Sequence, residues 1–252
     1  MELAPEIYLI LTLVCVCSGF IDAIAGGGGL LTVPAMLFAG IPPLNVLATN
    51  KLQSVMGTTI ACSNYARAGL IEWRRNRLSV LVILIAAGVG TAVVQAIDTR
   101  VLSLIVPVLL IAVALYVLLS PRMSDADAHH RVDSNGYAPI GGAIGFYDGF
   151  FGPGTGAFFT TTLVALRGYG LTKATALTKL FNLSSNLGSV IVFILGGKML
   201  WLLGLCMAIG SMTGGWIGSH TVMRFGAKVI RPLLVTISLG LTGRLIWGYF
   251  AG

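Results

Sequence analysis

Asp22, Lys51, Asp148 and Lys179 stand inside otherwise apolar stretches, and they set the chemical question. A charge at the centre of a lipid-embedded helix costs about 3 kcal/mol on insertion scales, so it persists where it lines a solute path, relays a proton or closes an ion pair. The four fall into two matched sets: Asp148 follows Asp22 by 126 residues and Lys179 follows Lys51 by 128. The plainest expectation is structural, with Asp22 pairing with Lys51, and Asp148 with Lys179, to hold each segment against the next helix of its own half. The sharper expectation is that Lys51 and Lys179 attract an anion while Asp22 and Asp148, the acids within the spans, carry the protons that couple its movement. The two roles can coexist. His220 and Arg244 also occur in apolar segments, nearer their ends.

Glycines point the same way. Gly26-Gly27-Gly28-Gly29 and Gly152-Pro153-Gly154-Thr155-Gly156 each open a short apolar segment. At a helix start, bare amide N–H groups and the positive end of the dipole favour a negative guest. Gly27, Gly28, Gly29, Gly154, Thr155 and Gly156 are therefore expected at the solute. Asn50, Gln53, Asn182 and Asn186 flank the lysines and complete the expected binding set; Asn182 and Asn186, like Asn50 and Ser54, are four apart and share a helix face. Close helix packing is the plainer account of glycines in general, and it is as good for Gly88, Gly90, Gly214 and Gly215. A nucleotide loop is disfavoured, because no Gly-Lys-Ser/Thr follows and no strand precedes.

The elements that must position these groups are membrane spans. Of 252 residues, 56% are hydrophobic and 10% charged, and the mean hydropathy is +0.91. So few polar groups cannot cover the surface of a water-soluble domain of this size, whereas lipid favours that composition. The net charge of +7 does not imply nucleic acid, since the basic residues sit in short gaps between apolar runs. Cys15, Cys17, Cys62 and Cys206 lie in apolar segments without CxxC spacing, and are expected to be buried packing residues.

The chain is repetitive. Gly19-Phe20-Ile21-Asp22 is echoed by Gly145-Phe146-Tyr147-Asp148; at a spacing of 128, Lys51-Leu52 matches Lys179-Leu180, Gly69 matches Gly197, Trp73 matches Trp201 and Gly90 matches Gly218. Duplication predicts an N-terminal repeat over 1–120, a polar cytoplasmic linker over 121–137 and a C-terminal repeat over 138–252. Apolar segments fall near 6–25, 29–40, 44–66, 78–97 and 100–120, then 138–151, 155–167, 171–195, 199–222 and 229–250. The pieces at 29–40, 138–151 and 155–167 are too short to cross a bilayer core of about 30 Å as straight helices, so they are expected to form hairpins facing an internal site. The linker, with His129 and His130, reads as solvated. Basic gaps around Arg67 to Arg77, Arg122 to Arg131, Arg167 to Lys173 and Arg224 to Arg231, set on the cytoplasmic side, start the first half outside and the second inside. The expectation is an all-α, polytopic integral membrane protein of two inverted-topology repeats with broken or re-entrant short helices.

No Ser-His-Asp grouping and no HExxH occurs in the spans, so neither an enzyme nor a metal or other cofactor is expected. The expected partners are a small anionic solute, the lipid bilayer and protons, without nucleic acid; oligomeric state is open.

Gly19–Pro34 (GFIDAIAGGGGLLTVP), Ala48–Gln53 (ATNKLQ), Gly145–Pro153 (GFYDGFFGP), Lys179–Asn186 (KLFNLSSN) and Phe193–Lys198 (FILGGK) resemble the TauE/SafE family of membrane permeases, especially its YfcA-like branch. The resemblance implies export or passage of sulfite, an organosulfonate or a related sulfur-containing anion across a bacterial inner membrane. That branch has Gly-Pro-Ala-Ala-Gly where this chain has Gly152-Pro153-Gly154-Thr155-Gly156, so Thr155 adds a hydroxyl near the expected site. The leading expectation is a permease working by alternating access with proton coupling; the alternative is an anion channel or uncoupled facilitator.

Overall fold

The computed structural model describes residues 3–119, 126–127 and 131–226. The segment expected at 229–250, together with Arg122, His129, His130 and Arg244, lies outside the described residues. Among the described residues there are nine helices and no strand: α1 Pro5–Ala25, α2 Gly29–Phe38, α3 Pro43–Arg67, α4 Trp73–Gln95, α5 Thr99–Leu119, α6 Ala138–Phe150, α7 Thr155–Arg167, α8 Leu171–Gly196 and α9 Trp201–Phe225. Prolines at the first turns of α1, α3 and α6 supply a preset φ where an N–H has no helical partner anyway. α1 stops at Gly26, whose φ of 72° is open to glycine at no steric cost. Gly154, with φ 81°, opens α7 in the same way.

Five described helices are long and apolar enough to cross a membrane: α1, α4, α5, α8 and α9. Their outward faces carry exposed large side chains, such as Leu9 and Leu13 on α1, Leu81 and Ile85 on α4, and Leu202, Ile209 and Trp216 on α9. Water would penalise such a band, and lipid accepts it. α3 is as long as α9 but is not apolar enough by composition, because Asn50, Lys51, Gln53 and Thr58 lie along it. It runs inside the bundle against α8 and α9, where those groups find partners. α2, α6 and α7, of 10, 13 and 13 residues, reach only about 15–20 Å.

The halves interlock. α1 packs along α9 and α6 along α4; α3 meets α9 and α4 meets α8; α3 and α8 face each other at the centre. Small residues allow this, and matched positions do it twice. Gly19 lies against the carbonyl of Ser211 as Gly145 does against that of Ile83, and Gly90 abuts the carbonyl of Phe146 as Gly218 abuts that of Phe20. A methyl group at any of the four would overlap the oxygen. Gly214 and Gly215 likewise meet backbone carbonyls, of Val16 and Gly57, whereas nothing lies within 3.4 Å of a Cβ built on Gly88. Close packing thus accounts for Gly90, Gly214 and Gly215 but not for Gly88.

Three local expectations change. The end of the linker is anchored as well as solvated: Arg131, Asp133, Asn135 and Gly136 are exposed, while the Arg131 and Val132 amides both donate to the Leu166 carbonyl at 3.0 Å, and Tyr137 is buried, stacked on Phe181. Arg167, read as a loop charge, is 1% exposed and donates to the Ser134 and Tyr169 hydroxyls at 2.8 and 2.6 Å, because α7 is short and ends inside the protein. Cys15 and Cys62 are buried, but Cys17 faces outward from α1.

Candidate functional site

Asp22 lies one turn before the break that ends α1, and Asp148 lies in the last turn of α6. Lys51 and Lys179 sit in the third turns of α3 and α8. The four charges meet across the two halves rather than within them. Lys51 Nζ is 2.8 Å from Asp148 Oδ1, and Lys179 Nζ is 3.0 Å from Asp22 Oδ2. The pairs Asp22–Lys51 and Asp148–Lys179, expected to hold each half together, are therefore replaced by two crossed ones. The physical reason is the central contact of α3 with α8, which brings each lysine to the acid of the opposite half.

Around the crossed pairs the polar groups are largely satisfied, as burial demands. Lys51 also donates to Asn186 Oδ1 at 3.0 Å, and Ser185 Oγ donates to Asp148 Oδ2. Lys179 donates in addition to the Asp22 backbone carbonyl, and the Gly28 amide donates to Asp22 Oδ1 at 3.4 Å. The short helices are tied to their neighbours by matched bonds. Thr32 Oγ1 donates to Asn50 Oδ1 at 2.6 Å, and the hydroxyls of Thr160 and Thr178 share a bond of 3.0 Å. These positions are again 128 residues apart.

The two glycine breaks touch each other. A Cβ on Gly26 would overlap Gly156 Cα, and one on Gly156 would overlap Gly26 Cα. Beside this contact lies a small cavity, about 30 Å³, the scale of a couple of waters. Lys51, Asp22 and Asp148 line it, with Gly29, Gly154, Thr155 and Gly156 from the breaks and Asn50, Asn182 and Asn186 from α3 and α8. Asn182 is 5% exposed, and its Oδ1 has no hydrogen-bond partner among the described residues; turned over, the same amide offers N–H.

Four expected residues stand back from the cavity. Lys179 is fully buried behind Asp22, and Gly28 gives its amide to that carboxylate. Gln53 forms an outer layer, donating to Asn50 Oδ1 at 2.9 Å and Ser54 Oγ at 3.0 Å. A Cβ on Gly27 would meet only the side chains of Ile21 and Leu30. The cavity also takes in Gly26, Ser54 and Gly152, outside the expected set. Ser54 was legible as the residue one turn after Asn50, and both glycines as the first members of their motifs. The supporting hydroxyls of Ser18, bonded to the Gly28 carbonyl at 3.0 Å, and Tyr147, bonded to that of Pro153 at 2.7 Å, had no sequence signal of their own.

Residues 11–245 match the model of the family described as Sulfite exporter TauE/SafE. The chain belongs to the TauE/SafE family. Curated relatives agree along nearly the whole length. A probable membrane transporter protein ORF9 from Sinorhizobium sp is 45% identical, covering 97% of this chain and 94% of that protein. The probable membrane transporter protein YfcA of Escherichia coli K12 is 41% identical over 97% and 91%. A probable membrane transporter protein of Haemophilus influenzae is 38% identical over 99% of both. No solved structure matches the chain. The protein is thus a membrane transporter of this family, and the family and its relatives are transporters, not enzymes.

Proposed function

We propose that the chain moves a small anion, sulfite or a small organosulfonate, across the bacterial inner membrane by alternating access at the cavity beside the crossed ion pairs. The observation that carries this reading is Lys51: an ammonium 2% exposed, lining a cavity that also collects the glycine-rich starts of α2 and α7. Cationic and amide donors at one buried point suit an anion. The family description supplies the sulfur-containing class.

In this arrangement two lysines are matched by two carboxylates, and the cavity is far smaller than an organosulfonate. Solute entry therefore requires the breaks to part and a carboxylate to yield its lysine. Protonation of Asp22 or Asp148 would release that hold and keep the charge of the site constant as the anion enters, which is the basis for proton coupling. The reciprocal contacts of α1 with α9 and α6 with α4, and the charge pattern of the gaps, support two inverted repeats over 1–120 and 138–252 joined by a cytoplasmic linker at 121–137. Rocking of one against the other would expose the site alternately.

Flux of labelled sulfite and simple sulfonates into proteoliposomes tests the reading. Lys51→Ala and Lys179→Ala should each abolish anion-dependent flux while the protein still elutes as a folded species. Undiminished flux in the double variant removes both lysines from the mechanism. Flux indifferent to an imposed pH gradient would leave an uncoupled facilitator.

A further inference from the structure

The matched ion pairs are unequal, and the inequality originates in α8. At the repeat spacing of 128, Ser185 and Asn186 of α8 correspond to Gly57 and Thr58 of α3. Ser185 donates to one oxygen of Asp148, while Lys51 holds the other at 2.8 Å. Asn186 accepts from Lys51 at 3.0 Å. On α3 neither counterpart reaches the Asp22–Lys179 pair: Gly57 has no side chain, and Thr58 donates to the backbone carbonyls of Ser54 and Val55 on its own helix. Asp22 instead has a loop amide at 3.4 Å. The exposures follow: the Asp148 side chain is 5% exposed and that of Asp22 27%.

The lysines differ too. Lys51 lines the cavity and gives two of its three donors to Asp148 and Asn186. Lys179 does not line it, and it donates to the Asp22 carboxylate and carbonyl.

We infer that the pairs have divided the work: Lys51, held in place by Asp148, Ser185 and Asn186, is the cation that contacts the solute, and Asp22 alone takes up and releases the coupled proton. Asp148, Ser185 and Asn186 are then positioning residues. Of the two carboxylates that line the cavity, Asp22 is the more exposed, so a proton arriving there forms the O–H, frees Lys179 and loosens the Gly28 amide that closes the first break. One proton entering with one anion leaves the charge of the site unchanged. Among the described residues, Tyr65 and Lys51 also interact electrostatically with Asp22, Tyr147 with Asp148, and Cys62 with Lys179. None of the three besides Lys51 lines the cavity.

This division rests on the anion-carrier reading above, and one experiment separates the two. Proteoliposomes enclosing a pH-reporting dye receive sulfite, or methanesulfonate, which stays ionised across the pH range used. Wild type should take up anion with a matching proton signal. Asp22→Asn should still take up anion, at a reduced rate, with the proton signal and the pH dependence of that uptake lost. Asp148→Asn and Ser185→Ala should keep the proton signal while half-saturation rises about tenfold, the scale of a lost hydrogen bond to a charged group. Should Asp148→Asn fail to fold, Ser185→Ala, which keeps all four charges, carries the test. A proton signal lost in Asp148→Asn but kept in Asp22→Asn overturns the division, as does unchanged half-saturation in Ser185→Ala. Wild type that moves the anion with no proton signal overturns it while leaving an anion carrier. Wild type that moves neither anion removes both readings.

Discussion

The two glycine breaks are built from matched sequence yet closed by different means. In the first, the Asp22 carboxylate accepts from the Gly28 amide, and the Ser18 hydroxyl bonds the Gly28 carbonyl. In the second, Asp148 gives both oxygens to other helices, and the loop is braced by the hydroxyls of Tyr147 on Pro153 and Thr155 on Gly152. Ile21 stands at the position matching Tyr147, where no hydroxyl is available. The first break is thus tied to the state of a carboxylate, and the second is held by neutral groups indifferent to it. A duplicated element can keep its glycines while its two copies are closed by different groups.

Breaking the point where the two meet should have the largest effect. Gly26→Ala sets a Cβ on the Gly156 backbone at a φ of 72°. Overpacking and left-handed strain together predict a loss of about 4 kcal/mol, read as a lowered midpoint of thermal unfolding in detergent; an unchanged midpoint would mean the breaks do not touch. Asp22→Asn replaces a charge-assisted bond by a neutral one, so hydrogen exchange across Gly26–Leu31 should quicken about fivefold, on the order of 1 kcal/mol. Asp148→Asn should leave exchange across 152–156 unchanged, and equal effects in the two would erase the contrast. Tyr147→Phe should cost about 1 kcal/mol of stability with no change in its pH dependence, since no charged partner is involved.

The smallest effect is expected far from both breaks. Glu72, before α4, pairs with Lys173 at 3.1 Å and Arg75 at 3.4 Å. Its carboxyl lies below the usual carboxylate range, first through the bond from Lys173 and then through Arg75. A depressed pKa contributes stability above the unfolded value and loses it as pH falls through the folded one. Glu72→Gln should therefore lose less than about 1 kcal/mol at neutral pH, as exposed pairs do, and converge with wild type on acidification. A loss that persists at acid pH would show that more than the ion pair had been removed.

Much of the fold was legible in the residues. The short segments read at 29–40, 138–151 and 155–167 correspond to α2, α6 and α7 with ends within two residues, because glycine and proline punctuate them and lipid tolerates little else in between. The start of α4 was read late, at 78 instead of Trp73. Arg74, Arg75 and Arg77 belong to its first turns, where charges can reach water at the membrane edge. At the site, type and spacing singled out Asp22, Lys51, Asp148 and Lys179 and the glycine motifs. They also marked Lys179 and Gln53, which stand one layer back from the cavity, since a linear pattern fixes a helix face but not what covers it.

By itself the sequence determined that this chain lives in a membrane, where its helices break, and that four charges must be accommodated in the interior, because lipid punishes both unpaired charge and open backbone wherever they occur. Only the tertiary structure decided that Lys51 belongs to Asp148 and Lys179 to Asp22. Partner choice depends on which helices meet at the centre, and the contact of α3 with α8 joins residues some 130 positions apart. No local preference extends that far; close packing of small residues does.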